Sequence, residues 1–530
     1  MANMDPFAGL PTAARRSSRA RTVNFRDPRP GGPVMVAAPR ATAVTEHPGT
    51  DVVKPLRSEK EPLPVADAVD PKQVLRPARG YPVEAPAGPA GPPSPPAAPI
   101  VTFDAGVFGN PSTIPPDTAG AVNRDMVFGP HNNRVWLQGR NGEAVGDVTL
   151  DAFWNVFGRP IDTFDPKVVY DPLTQRFIFV TCANAERADS SILVAISAAD
   201  DPNGAWQFGE ITVDQAVMGP IWFDYPSLGF TADKITVGVN LFSLAGNQFR
   251  GVAVFAIDKA GFLDPPHAFV FDQFVMDDQG GTHAPALVLD PGVTDQYLLT
   301  TWTGNFEGSG FLALYRLTGQ VAAGTTDLQR VGFLEVGATW QAFAPMADFA
   351  PQQGTSTRIN AGDNRMQWVV HRHGQLYAAH TVFVPFAGTN RSAVQWHEVS
   401  LTGTPAITAR GLIEDPAGDS FYAYPSLAVN AQRDVLIGMA AFSAGMFASG
   451  AYSLRLNGGV FEAPEIFAPG ENTYVLTFGG SRNRWGDYSA TMVDPANDLD
   501  FWTIQEYARA QANTWGTRWA RIPMAPPPVA

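Results

Sequence analysis

From about residue 100 onward, apolar and polar residues alternate over short stretches. These are punctuated by turn chemistry, with no sustained helical periodicity. Three turns are written almost identically: Val169-Tyr170-Asp171-Pro172 leading to Phe177, Val288-Leu289-Asp290-Pro291 leading to Tyr297, and Met492-Val493-Asp494-Pro495 leading to Phe501. In each, an apolar strand meets an Asp whose side chain accepts from the backbone two residues on. A Pro follows, with φ preset for the next turn position. Looser versions stand at Val122-Asn123, Phe230-Thr231-Ala232-Asp233, Val370-His371-Arg372-His373-Gly374 and Val429-Asn430-Ala431-Gln432. Anchored on 123, 171, 231, 290, 371, 430 and 494, the spacings are 48, 60, 59, 81, 59 and 64 residues, the period of a supersecondary unit. This pattern predicts an all-β fold, a seven-bladed β-propeller, in which the innermost strand of each blade precedes the turn and the second strand follows it. The long spacing of 81 leaves Gly319 to Asn360 as an insertion or lid. Val101-Thr102-Phe103 is placed to pair into the last blade and remove an open edge.

Domain boundaries follow from composition. Residues 1–100 are Pro, Ala and Arg rich and end in a run of Pro, Gly and Ala over 85–96, so they are expected to be a disordered tail and Pro-rich linker. Residues 101–524 are the propeller, and residues 525–530 a disordered C-terminus. The tail, with Arg15 to Arg29 as its basic part, is also a candidate docking arm for a partner. It lacks the uninterrupted apolar core of a secretory signal, and no stretch approaches a transmembrane span.

Charge narrows the partners. The net charge of −14 hides a split: residues 1–100 carry 13 Lys+Arg against 9 Asp+Glu, and the body carries 24 against 42. Only Lys167, Lys234 and Lys259 are lysines after residue 100. Such a body excludes nucleic acid and anionic lipid as ligands and favours cations or cationic groups. A single cysteine, Cys182, excludes an internal disulfide and a Cys-based zinc site. Phosphate-loop, His-Glu-x-x-His and Gly-x-Ser-x-Gly motifs are absent, removing nucleotide and serine hydrolase chemistry.

Candidate chemistry lies where innermost strands begin and second strands end, on one face of the ring. Aligning the units on their turns makes Asp224, His283 and Asp487 equivalent, with Asp117 and Asp165 one step along and Asp363 and Arg365 entering from the fifth unit. Asn240, Trp302, His380 and Glu506 stand at second-strand exits. Three uses follow. Asp224, Asp487, Glu506 and Asp165 form an oxygen donor set for a hard cation, Ca²⁺ ahead of Mg²⁺. His283 and His380 with a carboxylate are a transition-metal alternative. Glu506, Asp224, Asp487, His283 and Tyr488 are candidates for acid-base work on a glycan, with Tyr488 and Trp485 stacking on sugar rings and Arg365 or Arg484 holding an acidic group. Against all three stands a plain structural role, since Asp at strand entrances caps loop amides and Tyr-Pro-Ser is a packing and turn unit. Asp494, Asn497, Asp498 and Asp500 resemble a calcium loop only in composition and are expected at a solvated hairpin tip.

The segment Arg484-Trp485-Gly486-Asp487-Tyr488-Ser489, with Val493-Asp494-Pro495, Phe501-Trp502 and Glu506-Tyr507 after it, resembles a signature of bacterial seven-bladed propeller proteins of largely unassigned function. Pro115 to Val122 and Asp224 to Leu228 fit the same family. Ser197 to Trp206 is similar to a degenerate sialidase Asp-box, a turn in which Asp and Trp brace outer strands. The resemblance implies an extracellular or cell-surface setting and no defined activity. Two functional expectations therefore stand: a binding or assembly module for a protein or glycan ligand at an acidic central mouth, with Ca²⁺ as its candidate ion, and a carbohydrate-active hydrolase or lyase using the same mouth.

Overall fold

The computed structural model describes residues 36–37, 62–66, 68–76, 98–107, 115–265, 267–276, 280–477 and 480–524. The 85–96 run, residues 525–530 and most of the expected tail lie outside the described residues. What is described is all-β: antiparallel meanders, mostly of four strands, in open-edged sheets, with only one-turn helices between them.

The innermost segments are, in chain order, Ala121–Val122, Thr163–Asp171, Ile221–Phe230, Ala284–Pro285 with Leu287–Val288, Met366–Arg372, Ser420–Val429 and Ala490–Val493. Each pairs antiparallel with the strand after its turn, apart from Leu287–Val288. That short segment bonds in parallel to Phe230 on one side and to Val370 and His371 on the other, so the meanders flanking it join into one nine-stranded sheet. Val101–Val107 pairs with Trp515–Ile522 as the outermost strand of the last meander, which joins the two ends of the described chain in one sheet.

The turns that carry the sequence repeat also hold neighbouring meanders together. Asn123 donates Nδ2 to the Asp200 carbonyl at 2.7 Å. Asp171 accepts from Lys259 Nζ at 2.9 Å. Ala232 N donates to the Val293 carbonyl at 2.9 Å. Asp290 accepts from the His373 and Gly374 amides, each at 2.8 Å. Arg372 Nη1 donates to the Val429 carbonyl at 2.7 Å, and Asn430 Nδ2 to the Leu499 carbonyl at 3.0 Å. Asp494 completes the circuit by pairing with Arg140 of the first meander. Each of the seven anchor regions is thus bonded to the meander after it, and the last to the first.

Between successive meanders lie apolar clusters built from the alternating inward residues, among them Phe128, Phe179 and Trp206 between the first two and Val127, Trp502 and Trp519 between the last and the first. Cys182 is buried in one of them, as a structural thiol. Asp494 and Asp500 also depart from expectation: both are buried, tied to Trp502 Nε1 and Arg521, and so are no solvated tip. Part of the predicted tail behaves as structure too. Ala66 N donates to the Trp302 carbonyl, Trp302 Nε1 donates to the Ala68 carbonyl, and Val74 bridges to Phe333, with Leu63, Ala66 and Val69 buried. Proline-rich composition concealed these three apolar residues, whose contact area on an outer strand offsets the ordering cost locally.

Because Lys259 and Asp171 are almost wholly buried, Asp171→Ala leaves an uncompensated ammonium inside the protein. It is expected to lower unfolding free energy by about 3–5 kcal/mol, and Asp171→Asn with Lys259→Met to recover most of the loss. Urea denaturation midpoints check both; equal midpoints for wild type and Asp171→Ala would remove the turn lock from the account.

Candidate functional site

The strand-entrance end is shaped by a repeated bulge. Asp117, Asp165, Tyr225 and Tyr424 take up left-handed φ values of 45°, 54°, 51° and 55°. Pairing shifts register across Phe164/Lys167, Asp224/Ser227 and Ala423/Ser426. Pro166, Pro226 and Pro425 follow three of these residues and have no N–H for the ladder, so the strand bulges there and re-aims its side chains.

The bulged residues meet in a connected buried network. Asp117 Oδ1 accepts from the Asp487 amide at 2.6 Å, and its other oxygen from Asn132 Nδ2. Asn132 Oδ1 accepts from the Asp165 amide at 2.7 Å, and Asp165 Oδ2 from the Tyr225 amide at 3.2 Å. Glu506 Oε2 accepts from the Gly486 amide at 2.9 Å, while its Oε1 has no hydrogen-bond partner among the described residues. Arg484 pairs with Asp487, Arg365 with Asp363, and the Arg365 guanidinium lies 4.2 Å from the Tyr225 ring centroid. Tyr488 donates its hydroxyl to the Pro166 carbonyl at 2.9 Å, and Lys167 Nζ lies 3.1 Å from the centre of its ring.

Electrostatics follow from this crowding. Burial, and then the charges of Asp487 and Asp165, hold the Asp117 carboxyl well above the ordinary aspartate range. Burial also raises Glu506, against the Gly486 amide, which lowers it. Lys167 is pushed down to about 7 by burial, which outweighs the opposing pull of Asp117, Asp165 and Asp487.

This end is capped. The segment expected as an insertion sends Phe349, Ala350, Ile359 and Ala361 into a cluster with Tyr424, Tyr474 and Trp485. Tyr424 donates its hydroxyl to the Asn360 carbonyl, and Asn483 N donates to both oxygens of the Asp348 carboxylate.

The predicted site residues therefore divide. Asp117, Asp165, Arg365, Arg484, Asp487, Tyr488 and Glu506 come together. Trp485 and Tyr488 are buried, Trp485 between Phe442 and Tyr474, so neither offers a face to a sugar. Asp224 precedes the bulge and is paired in register with Asn240, whose amide bonds to Thr282. His283 bonds to the Gly281 carbonyl and packs on Tyr315 of its meander's third strand. His380 stacks on His397 with their Nε2 atoms 3.1 Å apart. Among the described residues no three His, Cys, Asp or Glu side chains are grouped to hold a metal ion. Lys167, Tyr225, Tyr424 and Asn132 stand outside the predicted set, as does Gln367, whose Nε2 donates to the Asp487 carbonyl at 3.1 Å. Two signals pointed to them: the scarcity of lysine in the body, and the recurring Xaa-Pro pair at 165–166, 225–226 and 424–425.

The opposite, turn end of the same axis is open. There the innermost segments of all seven meanders, through Val122, Val169, Phe230, Leu289, Val370, Ala428 and Met492 among others, enclose a mainly apolar chamber of about 520 Å³. Asp290, Arg372, His373 and Asp498 stand at its rim, already bonded in the turns.

Fold and site together define an all-β protein of circularly bonded meanders with a filled polar end and an open apolar one. Among solved structures it is similar to a variant of the Synechocystis apocarotenoid oxygenase (10% identity, 66% of this chain and 74% of that one, TM-score 0.37). It is similar also to the phage phi92 endosialidase (6% identity, 69% and 73%, TM-score 0.35) and to a Dyadobacter fermentans protein of unknown function (10% identity, 67% and 93%, TM-score 0.27). No family model and no curated protein matches the chain. Among the described residues no helix is long and apolar enough to cross a membrane.

Glu506 gives a signed test. The unfolded chain releases this proton near 4.5, whereas the folded protein retains it to higher pH, so stability falls as pH rises through that interval. Glu506→Gln supplies a neutral group of the same shape. It is expected to match wild type at pH 4 and to exceed it increasingly above pH 5, by at most about 1.4 kcal/mol per pH unit. Denaturant titrations at several pH values check this; parallel curves for the two proteins would contradict it.

Proposed function

We propose that the chain is a seven-bladed β-propeller that works as a ligand-binding module, and that its ligand site is the apolar chamber at the turn end of the axis. One observation carries this reading: all seven innermost segments contribute to a single open cavity of about 520 Å³, a volume typical of small-molecule sites. The circular bonding of turns supports the blade count. The likeness of residues 484–489 to bacterial propeller proteins supports the class, since Asp487, Tyr488 and Ser489 of that segment bond the last unit to Asp117, Pro166 and Tyr424 of others. A binding role at the acidic mouth has less support, because its carboxylates are taken up by backbone amides and arginines and the capping segment covers them. Nothing favours glycan chemistry over this reading: the rings that would stack on a sugar are buried.

The ligand is a predominantly apolar molecule, held by area and shape. Burying its surface stabilises the complex by roughly 25 cal/mol per Å² before the costs of association. The test is displacement of anilinonaphthalene sulfonate fluorescence by 1-octanol. Leu289→Trp, which narrows the chamber from a partly exposed position, is expected to weaken octanol binding at least about tenfold, some 1.4 kcal/mol, with unchanged melting of the free protein. Octanol affinity indifferent to this change would place the ligand site elsewhere.

A further inference from the structure

The three lysines of the body differ in one respect. Lys234 Nζ bonds to the Asp233 carboxylate and the Thr294 carbonyl, and Lys259 Nζ to Asp171. Lys167, only 8% exposed, has no hydrogen bond and no carboxylate within ion-pairing distance among the described residues. Its Nζ faces the rings of Tyr488 at 3.1 Å and Tyr225 at 5.4 Å. Its side chain lines a void of about 30 Å³ that shares Val168, Val169, Leu287 and Trp368 with the apolar chamber and continues it inward. A lysine that lines the inner end of an apolar cavity, its amine buried without a counter-ion in contact, is the arrangement in which lysine acts as a nucleophile toward carbonyl compounds.

We propose that Lys167 binds apolar aldehydes as an imine, the aldehyde entering through the turn-end chamber. The inference rests on the reading of that chamber as the ligand site. Nζ attacks the carbonyl carbon and a C=N bond replaces the C=O bond. The carbonyl oxygen leaves as water carrying the two hydrogens of the neutral amine, so no oxidant or reductant takes part. The alkyl chain then lies along Val169, Leu289 and Val370, where apolar contact holds it. Burial first, and Arg365 after it, favour the neutral amine, while Asp117, Asp165 and Asp487 oppose it; the balance falls near 7. About half of the amine is thus neutral at pH 7.

The experiment uses the full chain with octanal and sodium cyanoborohydride, followed by peptide mapping. At pH 7 Lys167 is expected to carry the reduced adduct at more than about ten times the occupancy of Lys54 and Lys60, following the difference in free amine. Its labelling should be half-maximal near pH 7, while theirs keeps rising to pH 10. Lys167→Arg, which keeps the charge over Tyr488, should lose that adduct alone. Lys167 labelled no more than Lys234 and Lys259 overturns the imine; if 1-octanol still binds, the chamber reading survives it. Labelling of Lys167 that Leu289→Trp leaves unchanged overturns the route through the chamber.

Discussion

The structure depends on the bond that each turn makes to the next meander. A turn of the Asp-Pro type satisfies itself through Asp, but Asp171, Asp290 and Asp494 also reach beyond their own hairpins, to Lys259, to two amides of the fifth turn, and to Arg140. Because the last of these returns to the first meander, no unit is terminal. Val101–Val107 adds a second closure by completing the last sheet with chain from before the first unit. A sheet standing alone would leave one apolar face wet; here apolar clusters between successive meanders cover those faces.

Closure also explains why carboxylates collect where the innermost strands begin. The bulges at 165, 225 and 424 free backbone amides that the ladder does not use, and side chains accept them: Asn132 takes the Asp165 amide, Asp165 that of Tyr225 and Thr381 that of Tyr424, while Asp117 and Glu506 take the amides of Asp487 and Gly486 in the last unit. Burying several acids together is costly, and the costs are met in two ways. Arg365, Arg484 and Lys167 bring positive charge, and Asp117 and Glu506 hold protons to unusually high pH. The acidic end is therefore a joint, assembled by the same logic as the turns.

The periodic turns were legible because turn chemistry is local and is written in Asp, Asn, Pro and Gly whatever lies around it. The strands following them were legible from their aromatic starts, such as Phe177 and Phe501. Side-chain direction at the site was not legible. A bulge inserts one residue and re-aims its neighbours; alignment of the units on their turns put Asp224 at the site, and it is the Tyr225 amide that bonds to Asp165. The spacing of 81 revealed an inserted segment, yet its length carries no information on what it covers. The docking of Leu63, Ala66 and Val69 was hidden for a related reason: three apolar residues among prolines carry no period, and their partner Trp302 is more than 200 residues away.

The two ends of the axis differ because polar and apolar linings respond differently to space. Polar groups that face one another across a narrow axis must be bonded or wetted, and this protein bonds them with tyrosine, arginine and a capping segment, leaving little room. Apolar side chains ask for no partner. The ring can therefore stay open at its turn end without leaving a donor or acceptor unsatisfied, and water is held there only weakly. Lys167 lies at the boundary between the two linings. The amide-carboxylate bonds and the Tyr488 to Pro166 bond close the joint, and Lys167 adds charge to it without a direct bond. A buried ammonium with no counter-ion in contact lowers stability. It lines the void that continues the chamber while its Nζ lies against the Tyr488 ring, so it is packed by both linings.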